Sequence, residues 1–136
     1  MSVSLTRTVH FRATHRLHRA DWSPDENRRR FGWTVEPHVH DYVCAVTVTG
    51  PLDERLAMVI DLALFDRLLD AEVVRRLGGK ALQDDLLQFR TVLPTCEAIA
   101  RDVFRHLKPR LPDGVRLARV RVAEDPTLHA ECTDDA

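Results

Sequence analysis

Apolar residues recur at every second position in two stretches of the first fifty residues of this chain, switch to helical spacing after Asp61, and return to alternation near Val115. Val9, Phe11, Ala13, His15 and Leu17 share one face of a predicted strand over Val3–Leu17, against Thr8, Arg12 and Thr14 on the other. A second strand, 37–49, puts His38, His40, Tyr42, Cys44, Val46 and Val48 on one face and ends at Gly50-Pro51. Leu62, Phe65, Leu68, Leu69, Val73 and Leu77 then fall at helical spacing, with Asp61 as N-cap and Gly78-Gly79 as stop. Pro94-Thr95 opens a second helix carrying Ile99, Val103 and Leu107. A turn at Pro112-Asp113-Gly114 leads into a third strand, Val115–Glu124, with Ala118, Val120, Val122 and Glu124 on one face turned towards an enclosed site, and Asp125-Pro126 into a fourth, Leu128–Cys132. The polar stretch with Pro24 and Arg28-Arg29-Arg30 reads as a loop.

The order β-β-α-α-β-β predicts an α+β domain, a four-stranded antiparallel sheet with two helices on one face. The 136 residues suit one domain, 1–136. Four strands leave exposed edges, so assembly into a larger closed barrel would resolve them. A formal net charge of −1 gives no reason to expect nucleic acid or a membrane as partner. There is no apolar run of membrane-spanning length and no signal-peptide pattern at the start. Cys44, Cys96 and Cys132 are scattered and odd in number, which points to reduced thiols and a cytoplasmic location.

His38 and His40 are two apart on a predicted strand, so both leave the same face. His15 lies on the apolar face of the other strand, and pairing of the two would bring three imidazoles together. Three neutral imidazoles with an open fourth position are a catalytic zinc arrangement; partly buried, unrelated histidines are the alternative.

The series of motifs resembles the 6-pyruvoyltetrahydropterin synthase and 6-carboxytetrahydropterin synthase family. Phe11-Arg12-Ala13-Thr14-His15 is similar to its first zinc-ligand segment, and His38-Val39-His40-Asp41-Tyr42 to its His-Gly-His-Asn-Tyr motif. Met58-Val59-Ile60-Asp61-Leu62, Pro94-Thr95-Cys96-Glu97 and the late strand ending in Glu124-Asp125 match further family segments, in one order over roughly residues 8 to 132. The resemblance implies a T-fold (tunnelling fold) assembled as a homohexamer, a dimer of trimers. It implies zinc at His15, His38 and His40, and a pterin-like small molecule held by Glu124 and Thr95. A carboxylate offers two acceptor oxygens to the two adjacent donors of such a ring, while a solvated glutamate and an N-cap hydroxyl are the structural alternatives.

The chain departs from the family at its catalytic residues. Thr34 stands where the family's cysteine base follows Phe-Gly-x, and Gly78-Gly79 stand where its Asp-His pair precedes Lys80. A threonine hydroxyl does not ionise near neutral pH, whereas a thiol can be tuned to do so. The expectation is a homologue that binds a pterin-like ligand without catalysing the standard synthase reaction. One alternative is a zinc-dependent lyase on a dihydroneopterin-like substrate, with Glu36, two residues before His38, as general base. Another is a non-catalytic protein that sequesters a pterin or serves as a scaffold.

Overall fold

The computed structural model describes residues 1–134. The chain runs β1 (Val3–His15), α1 (Pro24–Phe31), a 3-10 turn (Gly32–Val35), β2 (His38–Gly50), α2 (Leu62–Leu69), a π turn (Asp70–Val74), α3 (Arg75–Leu77), α4 (Leu82–Asp85), α5 (Cys96–Leu107), β3 (Arg116–Asp125) and β4 (Leu128–Thr133). The strands form one antiparallel sheet in the order β1-β2-β3-β4. This is the predicted four-stranded α+β architecture. Among the described residues, no helix is long and apolar enough to cross a membrane.

Alternation sets the core. Phe11, Ala13 and His15 of β1 and Tyr42, Cys44, Val46 and Val48 of β2 are buried beneath Phe65, Leu69, Val73, Leu77, Ile99, Val103 and Leu107 from the helices. The second strand keeps its predicted inward set from Tyr42 to Val48.

Four details differ from the sequence reading. The polar segment read as a loop contains α1: Ser23 caps it by accepting from the Glu26 amide, and Pro24 fits its first turn. Local capping chemistry makes this helix, and Asn27 is its only buried residue, so no apolar stripe announces it. The helix predicted from Asp61 to Leu77 is interrupted by the π turn. Phe65, Leu69, Val73 and Leu77 are spaced by four throughout, so each step in an ideal helix over-rotates by about 40°. One wider turn absorbs that drift, and all four side chains are fully buried. Leu62, read as part of that stripe, is instead exposed. On β3 the expected inward residue Ala118 is displaced by Leu117, because the register with β2 passes from Thr47–Arg119 to Val48–Leu117 and leaves Ala118 as the extra residue of a bulge.

Candidate metal centre and ligand site

The register of β1 and β2 sets His15 opposite His38 and Ala13 opposite His40. All three imidazoles therefore rise on the core-side face at the open end of the sheet. Ring centroids are 4.5 Å apart for His15–His38, 4.9 Å for His15–His40 and 5.0 Å for His38–His40. One nitrogen of each lies within 4.8 Å of the other two.

Backbone carbonyls set which nitrogen faces inward. His15 Nδ1 lies 2.7 Å from the Pro94 carbonyl oxygen, and His38 Nδ1 lies 2.8 Å from that of Glu36. A carbonyl only accepts, so both Nδ1 atoms carry the proton and both Nε2 atoms present a lone pair. His15 Nε2 is buried without a hydrogen-bond partner. Burial, with the neighbouring His38 and His40 adding to it, lowers the pKa of His15 to about 4 against the raising effect of the Pro94 carbonyl. A neutral, oriented imidazole with an orphaned nitrogen is what a divalent zinc ion requires of a ligand. The three histidines fit zinc.

Glu124 reaches the same place through an irregularity. Pairing of β3 with β4 passes from Ala123–His129 to Asp125–Leu128, leaving Glu124 unmatched. Such bulges re-aim a side chain. Its carboxylate Oε2 lies 2.9 Å from His40 Nε2 and 3.7 Å from His15 Nε2, with only 15% of the side chain exposed. Thr95 caps α5, its hydroxyl accepting from the Ala98 amide at 3.1 Å, and follows the residue whose carbonyl holds His15. Helix start and histidine cluster are thus coupled through Pro94-Thr95.

The remaining predicted residues are engaged elsewhere. The Glu36 carboxylate accepts from Arg28 at 3.1 Å and is 64% exposed, while its backbone carbonyl serves His38. The Thr34 hydroxyl donates to the Phe31 carbonyl at 2.5 Å. Gly78 and Gly79 sit at a tight junction with β1: the Gly79 amide donates to the Arg12 carbonyl at 2.7 Å, and the Thr14 amide to the Lys80 carbonyl at 2.9 Å. A Cβ on Gly78 would stand against the Val74 carbonyl oxygen, and Gly79 has a φ of +73°.

Four participants escaped the sequence reading. The Pro94 and Glu36 carbonyls have no residue-type signature. Cys96, beside Glu124, is buried, and its thiol is pushed up to about 12, first by that burial and next by the Glu124 charge, so it offers no thiolate at neutral pH. Trp33, on the 3-10 turn, lies 4.8 Å from the His38 ring and is 69% exposed. An aromatic so near the histidine pair in sequence was the available signal for it.

The site sits within a wider likeness. A family model described as 6-pyruvoyl tetrahydropterin synthase matches residues 4–135. The chain is 34% identical over 122 residues to the human 6-pyruvoyl tetrahydrobiopterin synthase, covering 88% of this chain and 83% of that protein. It is 32% identical over 124 residues to the Drosophila melanogaster protein of the same name, covering 90% and 74%. A solved structure of Caenorhabditis elegans 6-pyruvoyl tetrahydropterin synthase superposes with a TM-score of 0.92 at 28% identity, over 99% of this chain and 97% of that one. A Plasmodium vivax structure, described as a variant of 6-pyruvoyltetrahydropterin synthase with a catalytic glutamate replaced by cysteine, shares the fold at 12% identity, with a TM-score of 0.66 over 100% and 99% of the two chains. Motif order, sheet topology, histidine geometry and these matches converge: the chain belongs to the 6-pyruvoyl tetrahydropterin synthase family.

Proposed function

We propose that this chain binds a pterin through Glu124 and Thr95, beside a zinc ion held by His15, His38 and His40, and that it does not carry out the standard synthase reaction. The observation that carries the first half is the convergence of Glu124 on the histidine cluster. A largely covered carboxylate beside the histidine cluster is placed to accept from the amino group and ring N–H of a flat heterocycle. Bound zinc would supply a Lewis acid toward a hydroxyl or carbonyl of the ligand.

The second half rests on the positions that differ. Thr34 brings a hydroxyl already committed to a backbone carbonyl, and Gly78-Gly79 bring neither an imidazole nor a carboxylate. A synthase base and its relay need both. Family membership also motivates a homohexamer built from two trimers, which would cover the free edges of β1 and β4, and a cytoplasmic setting.

The test is metal analysis of the purified protein with calorimetric titration of neopterin. Expected are about one zinc per chain, lost in His38→Ala, and neopterin binding abolished in Glu124→Ala. Efficient conversion of dihydroneopterin triphosphate to 6-pyruvoyltetrahydropterin would overturn the reading.

A second reading has its own support. The Plasmodium vivax neighbour is described as having a catalytic glutamate, and Glu36 adjoins the zinc-ligand pair in this chain. Release from Arg28 would let its carboxylate serve as general base in a lyase reaction on a dihydroneopterin-like substrate. Product from dihydroneopterin that disappears in Glu36→Gln, with zinc content intact, would select this reading. Binding without product under every condition leaves a sequestering or scaffold role.

A further inference from the structure

The histidine triangle has two differently furnished sides. Glu124 occupies the His15–His40 edge, with its carboxylate 3.7 and 2.9 Å from their Nε2 atoms. The corner at His38 is flanked by Trp33, whose indole is tilted 59° to the imidazole at a centroid distance of 4.8 Å. Trp33 is 69% exposed although it is the largest side chain near the cluster. It stands on the 3-10 turn Gly32–Val35, held by the Thr34 hydroxyl on the Phe31 carbonyl and by the Glu36 amide on the Trp33 carbonyl at 3.1 Å. The backbone beneath it is thus fixed while the ring is left open. An exposed, positioned indole gives a large apolar surface at low entropic cost to whatever lies over it.

We propose that Trp33 is a specificity-determining residue that packs against the ring substituent of the bound heterocycle. This rests on the reading that Glu124 grips the ring. A ligand anchored at Glu124 and extending across the three Nε2 atoms has its far end at the His38 corner. That end is the side chain borne by the heterocycle, and the indole is the surface it meets there. Ring recognition and side-chain recognition thereby fall to opposite sides of the metal cluster, Glu124 for the first and Trp33 for the second.

The experiment compares two probes by calorimetry: pterin with no ring substituent, and neopterin, which carries a three-carbon hydroxylated chain. Trp33→Ala is expected to weaken neopterin about tenfold, the scale of one lost aromatic contact. The same substitution leaves unsubstituted pterin within about twofold and zinc content unchanged, and Trp33→Phe recovers most of the loss. Equal weakening of both probes would mean that Trp33 only holds the site together, and would overturn the proposal. Unchanged affinity for both, with altered assembly on a sizing column, would assign Trp33 to contacts between copies and overturn it as well. In each of those cases Glu124→Ala still abolishes binding, so the pterin reading survives. Absence of binding of either probe to the unaltered protein would remove the pterin reading and the role of Trp33 together.

Discussion

His15 is the residue on which the cluster turns, because it is buried and orphaned at once. Its pKa, lowered to about 4 from an ordinary 6.5, means that between those values the unfolded chain binds a proton and the folded chain does not. Stability therefore is fully present above about pH 6.5 and declines as the pH falls toward 4, by about 3 kcal/mol in all. Urea titrations of chelator-treated protein at pH 7.5, 5.5 and 4.5 should show this loss, and His15→Gln should flatten it. The buried thiols act at the other end of the scale. Cys44 and Cys96 are each pushed up to about 12 by burial. Both should resist iodoacetamide at pH 8 in the folded protein and react in denaturant, as peptide mass mapping will report.

At the scale of elements, the segment between α3 and α4 is built around what it lacks. Gly78 has no room for a Cβ beneath the Val74 carbonyl, and Gly79 takes a backbone conformation that costs an L-residue about 1–2 kcal/mol. Restoring the family's pair through Gly78→Asp with Gly79→His should cost roughly 2–4 kcal/mol. It should also yield no synthase activity, since Thr34 still offers no base. Thermal unfolding and a dihydroneopterin triphosphate assay measure the two outcomes. The start of α5 makes the converse case, one side chain serving structure and site together. Thr95→Ala removes the cap on Ala98 and should lower stability by about 1 kcal/mol. Thr95→Ser, which keeps the hydroxyl, should retain both stability and neopterin affinity.

At the scale of the whole molecule, β1 and β4 are the edge strands of the sheet; the outer edge of β1 is met at Arg12 and Thr14 by the Gly79–Ala81 segment, while Val3 and Leu5 near its start are exposed. Exposed edges of this length invite pairing with further strands. Zinc and assembly should both appear in the unfolding curve. Zinc at a hundredfold over its dissociation constant stabilises by about 2.7 kcal/mol. If copies associate, the melting temperature rises with protein concentration; sedimentation velocity then distinguishes a hexamer from smaller species.

Alternation and helical spacing are properties of consecutive residues, and they gave the strands, the caps at Asp61 and Thr95 and the inward set on β2 directly. The two histidines of His38-Val39-His40 share a face for the same reason, since a strand permits nothing else. The meeting of His15 with that pair required the β1–β2 register, which joins residues over twenty positions apart. Glu124 depends on a bulge, and a bulge is a mismatch between two strands, invisible in either one. The carbonyls of Pro94 and Glu36 that fix the imidazole tautomers belong to the backbone, which is chemically the same at every residue. Residue types and local periods were therefore written in the chain, while convergence, tautomer and aim came from packing between segments distant in sequence.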